Sequence, residues 1–66
     1  MADIKEFNNL IGLTVTQAQK KIKKPFFIRT TEVKGQSLII TMEFNRERIN
    51  VATDDFDVIT RIKDFG

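Results

Sequence analysis

Ser37-Leu38-Ile39-Ile40-Thr41-Met42-Glu43-Phe44, followed by Asn45-Arg46-Glu47 and then Arg48-Ile49-Asn50-Val51, is the stretch on which the fold turns. It begins apolar and β-prone, passes through a Thr-Met-Glu-Phe run, and reaches a second β-prone segment across a polar connector. Leu38, Ile40, Met42 and Phe44 alternate with Ile39, Thr41 and Glu43, which is the period-2 pattern of a strand with two distinct faces. On local pattern, 38–44 reads as a strand that pairs through 45–47 with 48–53 as a hairpin. The competing reading makes it an exposed, extended loop between two strands that do not pair as a hairpin. Both stay open at this point.

The segments on either side give the outline of a domain. Phe7 and Leu10-Ile11 are the first residues that call for burial, after a polar arm at 1–6 that is expected to fray. Thr14-Val15-Thr16-Gln17 is a capping box. The Thr14 hydroxyl accepts from the amide of Gln17, and the Gln17 side chain returns to the Thr14 N–H. A helix over about 15–23 is predicted, with Val15, Ala18 and Ile22 on one face and lysines at 20, 21, 23 and 24 where positive charge complements the dipole. Pro25 stops it. Phe26 to Val33 is a strand, with Phe26, Ile28 and Thr30 on one face and Phe27, Arg29, Thr31 and Val33 on the other. A turn at 34–37 follows. Arg48 to Thr53 is a strand with Ile49 and Val51 opposite Arg48, Asn50 and Ala52. Asp54-Asp55 reads as a turn, and 56–62 as a last strand. The sum is one α+β domain over 1–66, a single helix packed on a small sheet.

Composition narrows the chemistry. At 66 residues the chain forms one domain at most, with 41% hydrophobic and 30% charged residues suited to a small globule. It has no cysteine and no histidine. Disulfides, Cys/His zinc sites and the usual nucleophile–base pairs are therefore excluded, and the chain is not read as an enzyme. Ser37 is the only serine, with nothing but lysines and carboxylates to activate it. Asp54, Asp55 and Asp57 follow no cation-loop spacing, so a solvated turn is favoured over a metal site, and no cofactor is expected. The lysine cluster lacks the interleaved aromatics that stack on bases, and a net charge of +2 is too mild to argue for nucleic acid. No apolar run approaches the roughly 20 residues of a membrane helix. The opening residues lack a secretory leader's apolar segment, so a cytoplasmic location is expected.

Several of these residues together resemble the potato inhibitor I family of serine-protease inhibitors, the barley chymotrypsin inhibitor and eglin group, and related small microbial peptidase inhibitors. The resemblance runs from about Phe7 to Gly66. It rests on Phe7, Leu10-Ile11-Gly12, Thr14-Val15, Gly35, Ile40-Thr41-Met42-Glu43-Phe44, Arg48-Ile49-Asn50-Val51 and Gly66. It implies that the strands at 26–33 and 48–53 pair in parallel, and that about 36–47 is the long protease-binding crossover between them. By position it places the scissile bond at Met42-Glu43. Ile40 and Thr41 would lie on the acyl side, Glu43 and Phe44 on the leaving-group side, and Met42 in the protease's primary pocket, with Leu38 and Ile39 also in the protease-binding loop. Arg48 and Asn50, with Arg46 as a third support, would brace Thr41 and Glu43 from below. Asn50 stands where many plant members carry a second arginine, and the segment between Gly35 and Met42 is about two residues longer than their pattern. The implied partner is a subtilisin- or chymotrypsin-like protease. The alternative keeps the fold but makes the chain a phage or microbial interaction protein that sequesters a small signalling ligand or a host protein. Monomer and homo-oligomer are both left open.

Overall fold

The computed structural model describes residues 4–39 and 43–66. Ile40, Thr41 and Met42, central to the expected loop, lie outside the described residues. The chain begins with a 3-10 helix, Ile4–Leu10, and continues into α1, Val15–Lys21. Four strands follow: β1 (Phe27–Val33), β2 (Gln36–Ser37), β3 (Arg48–Thr53) and β4 (Ile59–Phe65). They form one mixed sheet in the order β2-β1-β3-β4. This is an α+β fold with a parallel pair at its centre.

The capping box forms as the sequence predicts. The Thr14 hydroxyl accepts from the Gln17 amide at 3.2 Å, and Gln17 Oε1 accepts from the Thr14 N–H at 3.0 Å. The helix is seven residues long, too short to stand alone, so its cap and its buried face must hold it. Ala18 is that face, fully buried against the sheet, with Val15 and Ile22 packed beside it. Thr14→Ala is expected to cost about 1 kcal/mol, the usual worth of an N-cap. Urea unfolding reads the loss, and Thr14→Ser should leave stability nearly unchanged.

β1 and β3 run parallel, with Phe27 beside Arg48, Ile28 beside Ile49 and Arg29 beside Asn50. A bulge at Thr31 then breaks the alternation, so Glu32 rather than Thr31 stands beside Ala52. β1 turns into β2 through Lys34 and Gly35, both at positive φ (51° and 78°). That is the twist a two-residue hairpin turn requires, and glycine adopts it without a Cβ penalty. β4 runs antiparallel to the other side of β3.

Three expectations change here. The hairpin expected of 38–44 with β3 is not formed by the described residues of that segment. Leu38, Ile39, Glu43, Phe44 and Asn45 belong to no strand, and both edges of β3 are already taken by β1 and β4. The last strand begins at Ile59, because Asp54–Asp57 forms a turn that also carries Phe56. Ile4–Glu6, expected in a polar arm, form the first turn of the 3-10 helix, and Ile4 packs against the core.

The core lies between the helices and one face of the sheet. Phe7, Leu10, Ala18, Ile49, Val51 and Ile59 are buried there. Ile59, Ile62 and Phe65 reach this face at a spacing of three residues, which a regular strand does not allow. Bulges in the β3–β4 pairing, between Asn50 and Val51 and between Ala52 and Thr53, absorb the extra residues. Phe7, Phe26 and Phe65 close one end of the core with ring centroids 5.3, 5.8 and 6.0 Å apart. Such aromatic pairs add about 0.5–1.5 kcal/mol beyond their burial.

Candidate functional site

The other face of the sheet is polar, and it is where the crossover returns. Every residue of β3 is buried, so Arg48, Asn50 and Ala52 are as enclosed as Ile49 and Val51. A strand shows that pattern only when something covers both faces. Here one face meets the helices, and side chains of β1, β4 and the end of the crossover converge on the other.

Arg48 is the centre of this arrangement, its side chain only 8% exposed. Its Nη2 donates to the main-chain oxygen of Glu43 at 2.9 Å, and its Nη1 lies 3.3 Å from the Glu43 carboxylate. Its Nε and Nη2 also donate to the Gly66 oxygen, at 3.0 and 2.7 Å. The Gly66 oxygen accepts a further bond from Arg29 Nη2 at 3.2 Å, and the Gly66 N–H returns to the Arg48 carbonyl at 3.0 Å. The two halves of the Glu43 contact differ in weight. The carboxylate is 70% exposed, so that ion pair contributes no more than about 1 kcal/mol. The bonds from a buried guanidinium to main-chain oxygens are the stronger component, about 1.5–3 kcal/mol each.

Asn50 does not reach the crossover among the described residues. Its Oδ1 accepts from Arg29 Nε at 3.0 Å, and its Nδ2 donates to Asp64 at 2.9 Å. It therefore links β1, β3 and β4, and supports Arg48 by holding the neighbouring arginine in place. Arg46, expected as a third brace, is exposed in the turn at 46–47 and has no hydrogen bond or ion pair among the described residues. That turn is fixed by Asn45 instead. Its Oδ1 accepts from the Glu47 amide at 2.9 Å, and its carbonyl from the Arg48 amide at 3.1 Å. A few residues along the sheet, Glu32 takes Arg61 and Lys63 at 3.1 and 3.4 Å.

The crossover therefore has two anchored ends. At its start, Leu38 N–H donates to the Thr31 carbonyl at 2.9 Å. At its end, Arg48 grips Glu43, and the Phe44 ring lies so close to Gly66 that a Cβ there would sit 3.7 Å from it. Among the described residues between and beside the anchors, three apolar side chains are open. Ile39 is fully exposed, Phe44 is 72% exposed and Leu38 44%. The expected protease-binding residues thus divide into Leu38, Ile39, Glu43 and Phe44, which the structure places outward or at the brace, and Ile40, Thr41 and Met42, which lie outside the described residues.

Arg29, Asp64 and the Gly66 oxygen are the residues that sequence reasoning missed as supports. A hint was present: Arg29 shares a strand face with Phe27, next to a strand whose matching face carries Arg48 and Asn50. The acidic run is a turn. Asp54 accepts from the amides of Phe56 and Val58 at 2.8 and 3.0 Å. Asp55 pairs with Lys34 at 2.6 Å, and among the described residues no group of three or more acidic side chains converges as a metal site would require. No helix among the described residues is long and apolar enough to cross a membrane.

The fold and site define a small α+β domain that displays an apolar crossover over a buried arginine. No protein-family model matches the chain. A comparison with curated proteins likewise returns no match.

Proposed function

We propose that the chain is a binding module that inhibits a subtilisin- or chymotrypsin-like serine protease, offering residues 36–47 as a substrate-like loop with Met42-Glu43 as the scissile bond. The observation that carries this reading is the grip of Arg48 on Glu43, the residue just after that bond. An extended segment binds a protease cleft through main-chain hydrogen bonds, with alternate side chains entering pockets. What separates an inhibitor from a substrate is rigidity, because a loop already ordered loses little entropy on binding. Arg48, itself fixed through Gly66, supplies that order on the leaving-group side. If the bond is cut, the new amino end at Glu43 stays anchored to the domain. The acyl-enzyme then keeps its leaving group nearby, and the reverse reaction competes with water.

Met42 suits an apolar primary pocket, while Leu38, Ile39 and Phe44 extend the contact on either side. Titrating subtilisin and chymotrypsin with the chain should give a persistent stoichiometric complex and slow cleavage confined to Met42-Glu43. Met42→Gly should raise Kd by roughly 30-fold or more, as loss of a hot-spot side chain does. Rapid turnover at that bond with no persistent complex overturns the proposal.

A further inference from the structure

Away from the crossover, the two ends of α1 carry features that complement each other. Beyond the end of the helix lies a cavity of about 230 Å³. Its lining is mixed: Phe7, Leu10, Ile22 and Phe26 are apolar, and Asn9, Lys21 and Lys23 are polar or basic. An apolar cavity of roughly 150 Å³ already admits a benzene ring. Lys20 and Lys24 add charge nearby, and Glu6 is the one acid on the lining.

Before the start of the helix, the 54–58 turn presents Phe56, which is 81% exposed. This aromatic is not on a loose tip. Its N–H is held by the Asp54 carboxylate at 2.8 Å, the Asp57 N–H donates to the Asp54 carbonyl at 3.3 Å, and the Asp57 carbonyl accepts from Val15 at 3.0 Å. Asp55 and Asp57 flank the ring and are exposed. Asp55 shares its charge with Lys34, and Asp57 has no hydrogen bond or ion pair through its side chain among the described residues.

We propose that Phe56 of one copy docks into the cavity between the 3-10 helix and the end of α1 of a second copy, with Asp57 and Asp55 facing Lys21 and Lys23. The ring fits the cavity by size, and the half-buried Ile22 and Phe26 offer it apolar surface among polar and charged walls. The charges are opposite in sign across the contact, which steers the approach and fixes its direction. Phe56 and the cavity are different surfaces of one chain, so the contact is head-to-tail and each copy keeps one free end. An aromatic knob buries about 150–250 Å². A stable interface needs about 800 Å² per partner, so the association is weak and reversible.

Sedimentation velocity of the full chain from micromolar to millimolar concentration tests this. The average sedimentation coefficient should climb with concentration and fall back as salt screens the charges. Phe56→Ala, which removes the knob, and Lys23→Glu, which alters the rim, should each flatten the climb while circular dichroism stays native. Mixing the two should restore a dimer and nothing larger, because one variant keeps a working cavity and the other a working knob. A wild-type chain that sediments as a monomer throughout, or a folded Phe56→Ala variant that associates like wild type, overturns the proposal.

Discussion

Arg48→Ala is expected to lower stability by about 3–5 kcal/mol, the range for removing one partner of a buried charged contact. It should also turn the crossover into an ordinary protease substrate. A 66-residue domain has about 3–10 kcal/mol in total, so the loss takes up about a third of it or more. The size follows from what the guanidinium does. It lies in a strand interior, and its four bonds converge on Glu43 and Gly66. Alanine there removes the donor for the Glu43 main-chain oxygen and two of the three side-chain bonds to the Gly66 oxygen, and leaves a void beside Glu43. Arg48→Lys is the informative control. Lysine keeps the charge but cannot present a planar fork to two acceptors at once, so it should recover part of the stability and less of the loop's rigidity. Urea unfolding measures the first quantity. Digestion with subtilisin, followed by mass measurement, reads the second. A loss below about 1 kcal/mol would mean that Arg48 is an incidental surface contact and would remove the physical basis for a braced loop.

This residue also marks how far the sequence could be read. The alternation around Ile49 and Val51 placed Arg48 and Asn50 on the opposite face, and the pairing of Arg48 with Glu43 followed from the resemblance. The resemblance puts Asn50 under the loop, and among the described residues it bonds along the sheet to Arg29 and Asp64. No local signal separates those outcomes, since they depend on which strands flank β3. The same blindness bears on the hairpin expected of 38–44 with β3. The segment's alternation satisfies every local rule for a strand, but a strand also needs a partner, and β1 and β4 occupy both sides of β3. At β4 the period failed for a different reason. Ile59, Ile62 and Phe65 share a face only because of bulges, and bulges leave no mark on a hydrophobic pattern counted in twos. The capping box, by contrast, needs only four consecutive residues, and it was legible in full.

The 3-10 helix gives the second large expectation: Leu10→Ala should cost about 2–5 kcal/mol. Phe7 and Leu10 are three residues apart, the repeat of a 3-10 helix, and they are its two buried residues. A helix of this type has poor hydrogen-bond geometry and does not persist without tertiary contacts. Leu10 is 1% exposed and packs into the cluster formed by Ile49, Val51 and Ile59. Its truncation leaves a cavity that its neighbours fill only in part. The segment just after it joins β4, with the Gly12 N–H donating to the Ile59 carbonyl and the Ile59 N–H to the Leu13 carbonyl, both at 2.8 Å. Loosening Leu10 should therefore also expose the amide of Ile59, which native-state hydrogen exchange reads directly. Ile11→Ala provides the contrast, because Ile11 is 46% exposed and its loss should stay within about 0.5 kcal/mol. If the two substitutions cost the same, the 3-10 helix is not anchored through Leu10, and the region between Phe7 and Leu13 must be held by main-chain bonds to β4 alone.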